Sequence, residues 1–114
     1  MFKLTTDIIK RRCIPSIYER GYDYYKKNRV KKVEFYPERL TFVAIVAGED
    51  DYKVKVNFQS DGSISNTSCS CKTDLLYFGL CKHIVALLLL LKEKNDEGYF
   101  EQFKYKRIAK RIFE

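Results

Sequence analysis

Hydrophobic and polar positions alternate most cleanly between residues 52 and 59. Tyr52, Val54, Val56 and Phe58 are interleaved there with Lys53, Lys55, Asn57 and Gln59. A period of two sends one set to each face, so this stretch predicts a half-buried β-strand. Arg39–Val46 has the same period, with Leu40, Phe42, Ala44 and Val46 on one face and Val43 and Ile45 on the other. Gly48-Glu49-Asp50 turns the chain between these two strands. Asp61-Gly62 is a hairpin signal, and Ser63–Ser70 follows it as a returning strand. Upstream, Val30–Phe35 reads as a further strand that ends at a Pro37-Glu38 turn. The short loops imply an antiparallel meander, which needs a cover on its apolar face.

The other apolar positions predict helices. Thr6 or Asp7 caps a short first helix that runs through Arg12 and stops before Pro15, because a residue preceding proline avoids the helical region. Ser16 caps a second helix, Ile17 to about Asn28. Its Ile17, Tyr18, Tyr22, Tyr24 and Tyr25 are too many for one narrow stripe, so some rings bury against the sheet while their hydroxyls reach outward. Lys82–Lys94 carries the run Ile84–Leu91, which reads as a helix buried on nearly all sides. Eight apolar residues fall far short of the roughly 20 that span a bilayer, so no membrane segment is expected. After Asn95-Asp96-Glu97-Gly98 a last helix is predicted over Tyr99–Phe113, with Phe103, Ile108 and Ile112 on an apolar face of imperfect spacing. The expected organisation is a domain over residues 1–95 with 96–114 as its basic C-terminal helical extension.

Charge adds a second layer. The 114-residue chain has a formal net charge of +7. Residues 1–36 hold ten Lys/Arg against four Asp/Glu, residues 37–70 three against five, and residues 71–114 nine against six. The basic character therefore lies in the two ends and not in the middle strands. Such an asymmetry suits an acidic partner, nucleic acid first. Arg20, Lys26, Lys27, Arg29, Lys31 and Lys32, interleaved with tyrosines, suit phosphate contacts and base stacking. The competing reading is a helix that packs its aromatics inward beneath solvated lysines.

Candidate chemistry is concentrated between Ser68 and Leu91. Three of the four cysteines and the single histidine occur there as Cys69-x-Cys71, nine residues, then Cys81-x-His83. Three thiolates and an imidazole are a common tetrahedral zinc set. In an extended segment, residues i and i+2 share a face, so Cys69 and Cys71 can reach one ion. In a helix they do not, so Cys81 is expected just before a helix and His83 in its first turn. The helix N-terminus would also favour thiolates. The site is thus a junction of strand end and helix start, closed by one structural zinc. The N-terminal segment has no apolar core and no small-residue cleavage site, so a cytoplasmic chain is expected, nucleoid-associated if prokaryotic. Reduced thiols there favour metal over disulfides. Cys13 lies apart and reads as a small buried hydrophobe, with a reactive thiol or a fifth ligand as alternatives.

The Cys-x-Cys, Cys-x-His arrangement resembles the SWIM zinc finger. CKHIVALLLLL, with Ala86 three residues after His83, is similar to that family's Cys-x-His-x-x-Ala tail and apolar helix. RGYDYYKKNRV, Arg20–Val30, is similar to the segment preceding this finger in bacterial helicase-associated proteins. The resemblance extends over roughly Ile14 to Lys94. The strands, helices and ligand spacing together predict an α+β fold, a small antiparallel β-meander packed with helices and stapled by one zinc. SWIM domains occur in chromatin-remodelling-type helicases, Mutator-like transposases and plant transcription factors, so the resemblance implies DNA-linked work, with DNA favoured over RNA.

Two functions follow as expectations. The first is nucleic-acid binding through Arg20, Lys26, Lys27, Arg29, Lys31, Lys32 and Lys82. The second is an adaptor that pairs with a helicase or a recombinase paralogue, as SWIM recombination mediators do. Its interface would be Leu76 and Phe78 in the apolar loop between the ligand pairs, with Phe103 and Ile112 in the tail. No enzyme and no small-molecule substrate is expected: the sole histidine is committed to metal, and four protein ligands leave no open position for water. Neither the zinc-deaminase signature nor a phosphate-binding glycine loop is present.

Overall fold

The computed structural model describes residues 2–71, 79–103 and 110–113, of which 102, 103 and 110–113 are described by backbone alone. Helix α1 spans Thr6–Lys10, and its cap is Thr5, whose hydroxyl accepts from the Ile8 N–H. The expected caps Thr6 and Asp7 lie one and two positions too late, inside the helix. Helix α2 spans Pro15–Lys26. It begins on Pro15 rather than Ile17, with Ile14 and not Ser16 at the cap position, since a proline at the first helical position has its φ already set and no N–H to lose. The chain leaves α2 through Asn28 in a left-handed conformation.

Strands β1 (Val30–Tyr36), β2 (Thr41–Ala47), β3 (Asp51–Phe58) and β4 (Ile64–Cys69) follow the predicted meander. Alternation places Phe42, Ala44 and Val46 of β2 and Val54, Val56 and Phe58 of β3 inward, all buried. Antiparallel register pairs Phe42 with Val56 and Ala44 with Val54, so the two apolar sets share one face. On β1 the alternation breaks at Lys31 and Lys32. A bulge lies between Lys31 and Glu34, and Lys32 is left-handed at φ 52°. The extra residue lets Val30 and Val33 both turn inward.

The tail departs from the predicted helix. Tyr99–Phe103 forms a 3-10 turn, and Lys110–Phe113 forms a strand, β5, antiparallel to β1. Its apolar spacing fits a helical face poorly, whereas the outer edge of β1 offers N–H and C=O groups that need partners. The sheet order is β4-β3-β2-β1-β5.

Helix α3 (Lys82–Asp96) lies between the inner face of the sheet and α2. This explains why Ile84, Val85, Ala86, Leu87, Leu88, Leu89 and Leu91 are all buried. Each large aliphatic side chain among them contributes about 1.5–3 kcal/mol relative to exposure. Gly21 of α2 faces Val85, where an added Cβ would come within 2.5 Å of the valine Cβ. At the other end of the core, Phe2 touches the rings of Phe35, Phe42, Phe58 and Phe100. Asn95 fixes that N-terminal residue by donating to its carbonyl at 2.7 Å and accepting from its N–H at 3.1 Å. Among the described residues, no helix is long and apolar enough to cross a membrane.

Candidate metal centre

Cys69 is the last residue of β4, and buried Cys71 follows two positions later. β4 is held to β3 through Val54↔Cys69, and Lys53 tightens the strand end by donating its N–H to the Ser70 hydroxyl at 3.0 Å. The second ligand pair sits where expected: Cys81 is the N-cap of α3, with extended backbone, and His83 lies in its first turn. Two residues fix the approach to Cys81. Leu80 donates its N–H to the Arg12 carbonyl at 2.8 Å. Gly79 passes that carbonyl with φ 109°, a close approach that a side chain would block.

These elements bring four donor atoms, one each from Cys69, Cys71, Cys81 and His83, within 4.8 Å of one another. His83 Nδ1 is 3.6 Å from Cys69 Sγ and 3.9 Å from Cys81 Sγ. Zinc–sulfur and zinc–nitrogen bonds of about 2.3 and 2.0–2.1 Å at tetrahedral angles require an S···N edge of ~3.6 Å. The donor set therefore fits a single structural zinc, with Nδ1 as the nitrogen presented to it. The ring proton then sits on Nε2, which is buried and has no hydrogen-bond partner among the described residues.

The thiols are unequal. In the metal-free site, where His83 Nδ1 can carry a proton, Cys81 is held well below the ordinary thiol range by hydrogen bonding from Cys69, then from His83 and the Ile84 N–H at the helix start; burial opposes this. Cys69 is pushed above that range because it keeps the hydrogen it shares with Cys81 and is partly buried. Cys13 lies outside the cluster. Its thiol donates to the Ile9 carbonyl at 3.5 Å, and burial pushes its pKa up.

Two tyrosines that sequence reasoning had not assigned to the site flank the imidazole. Tyr52 stacks on His83 at 4.1 Å between centroids, and Tyr24 meets it edge-on at 5.4 Å. Tyr52 was legible as an inward position of β3, but its meeting with His83 depends on how α3 crosses the sheet. Its phenol is raised by desolvation and by the carboxylates of Asp50 and Glu49.

The candidate nucleic-acid contacts do not form one patch. Arg29 and Lys82 gather at Tyr24, 5.1 and 5.8 Å from its ring centre, beside the metal site. Arg20 and Lys26 are exposed on α2 and Lys27 at its C-cap, where it pairs with Asp23 at 3.1 Å. Lys31 and Lys32 are exposed on β1, and Lys32 reaches the outer face of the sheet. There it joins Arg39, Lys53 and Lys55, which the sequence reading had not proposed. The alternation of Lys53 and Lys55 with Val54 and Val56 was the available signal. Of the expected partner interface, Leu76 and Phe78 lie outside the described residues. Phe103 and Ile112 are placed by backbone only, in the 3-10 turn and in β5.

Residues 52–92 match the family model of the SWIM zinc finger. That match starts at β3, so it does not extend to the α2 segment. No curated protein and no solved structure matches the chain. The matched segment holds all four converging ligands together with the strand and helix that present them, so residues 52–92 combine the match to the SWIM zinc finger with a donor set that fits one zinc.

Proposed function

We propose that this zinc-stapled domain is a nucleic-acid-binding module, with DNA as the favoured partner, and that its metal is structural. Four protein donors complete a tetrahedral zinc and leave no position for a reactive water. Such a site anchors the end of β4 to the start of α3 and carries no reaction step.

The observation that carries the binding reading is the sorting of charge over the sheet. The acidic side chains of residues 37–70 sit at turns and strand ends: Glu38 in a 3-10 turn, Glu49, Asp50 and Asp51 around the β2–β3 connection, and Asp61 in the β3–β4 hairpin. The cations Lys53 and Lys55 stand mid-strand on the outer face, beside Lys32 and Arg39. The middle segment is thus acidic in sum yet presents a basic face, which suits a polyanion.

Fluorescence anisotropy with labelled single- and double-stranded DNA and RNA tests this reading. If four cations neutralise four phosphates on a single strand, raising salt from about 50 to 200 mM weakens binding about 50-fold. No binding at the lower salt, or binding indifferent to salt, contradicts the proposal.

A further inference from the structure

The outer face of the sheet, opposite the face covered by α3, is a depression of about 520 Å³. Lys32, Arg39, Lys53 and Lys55 line it, with Glu34 as the one acidic residue among the described residues of the lining. Between these charges lie Tyr36, Val43 and Ile45, all half-buried. Register explains the arrangement: Val43 is the cross-strand partner of Lys55 and Ile45 of Lys53, so each apolar side chain has a lysine directly beside it. Lys32 is brought in by the β1 bulge, in a left-handed conformation that a lysine adopts only at a cost in free energy. A glycine would relieve that strain but would present no cation.

Resting on the nucleic-acid reading above, we propose that this face binds a single-stranded nucleic acid, with phosphates on the four cations and unstacked bases on Tyr36, Val43 and Ile45. The chemistry distinguishes a single strand from a duplex. A duplex keeps its base faces stacked and offers this surface only phosphates. A single strand offers phosphates and π-faces together, matching an apolar floor with a cationic rim. An acidic peptide would satisfy the rim without needing the floor.

The test compares the zinc-loaded wild-type chain with three variants: Lys53→Gln/Lys55→Gln, Tyr36→Ala and Lys32→Gly. The probes are a fluorescent oligodeoxynucleotide, an abasic sugar-phosphate strand of equal length and a blunt duplex. The intact single strand is expected to bind more tightly than either other probe. Removing Lys53 and Lys55 should shallow the log–log salt slope by about 1.4. Tyr36→Ala should weaken the intact strand about 5-fold or more while leaving the abasic strand unchanged. Lys32→Gly should lower affinity with Tm unchanged or raised, an outcome that loss of fold cannot produce. Wild-type affinity in the Lys53→Gln/Lys55→Gln variant overturns the placement on this face but leaves the nucleic-acid reading standing. Equal affinity for intact and abasic strands overturns base contact. If the wild type binds none of the probes at about 50 mM salt, the nucleic-acid reading itself fails, and the sheet proposal with it.

Discussion

Cys69 and Cys81 show how two identical side chains acquire different chemistry from position alone. Cys81 caps a helix, where the Ile84 N–H and the hydrogen shared with Cys69 stabilise its thiolate; Cys69, at a strand end, keeps that hydrogen. The metal-free pair thus shares one hydrogen, which favours the thiolate at Cys81 over that at Cys69. Zinc needs both as thiolates, so loading displaces the Cys69 proton, and affinity falls as protons compete at lower pH. Calorimetric titration with zinc in two buffers of different ionisation enthalpy should show at least one proton released; none released would contradict the assignment. Cys13→Ser should leave zinc stoichiometry at one, because that thiol faces the Ile9 carbonyl away from the cluster. At this scale the ligands were legible, since i and i+2 spacing ties geometry directly to sequence. Tyr24 and Tyr52 were not legible as neighbours of His83, because each approaches from a different element.

Elements were legible where periodicity was strong and local. The β2 and β3 alternation and the apolar run Ile84–Leu91 of α3 needed only their own residues to be read. The β1 bulge left a trace, two successive lysines between Val30 and Val33, but its consequence for Lys32 appears only with the pairing to β2. The tail was misread as a helix because imperfect apolar spacing could not reveal that β1 had an edge to offer. The packing of α2 on α3 rests on a residue that propensity would undervalue. Gly21→Ala raises helix propensity by about 0.8–1.0 kcal/mol, yet its methyl would collide with Val85. Overpacking of this kind costs about 1–3 kcal/mol, and an approach within 2.5 Å of two Val85 atoms puts it at the upper end, so the loss outweighs the gain and the variant should melt lower. Adding Val85→Ala should recover part of that loss, as coupled contacts do. A Gly21→Ala variant as stable as wild type would show that the helices are not in this close approach.

At the scale of the molecule, summing charge by segment pointed to the ends, whereas the folded chain gathers Lys32, Arg39, Lys53 and Lys55 on one sheet face. Register converts a sequence interval of more than twenty residues into side-by-side placement, which no segment sum can anticipate. The zinc site does the same for β4 and α3, each of which carries one ligand, Cys69 or His83, while Cys71 and Cys81 lie in the stretch between them. Structural zinc contributes an apparent ~10–16 kcal/mol in finger peptides at pH 7, against roughly 5–15 kcal/mol for the net stability of a whole domain. On these magnitudes the metal is expected to decide whether this chain holds its fold. The most direct test is thermal unfolding, followed by circular dichroism under reducing conditions, of zinc-loaded protein and of protein stripped with a chelator. The loaded form should contain one zinc per chain and unfold cooperatively. The stripped form should lose that transition and regain it when zinc is restored. A stripped protein that melts cooperatively at the temperature of the loaded form would contradict the account.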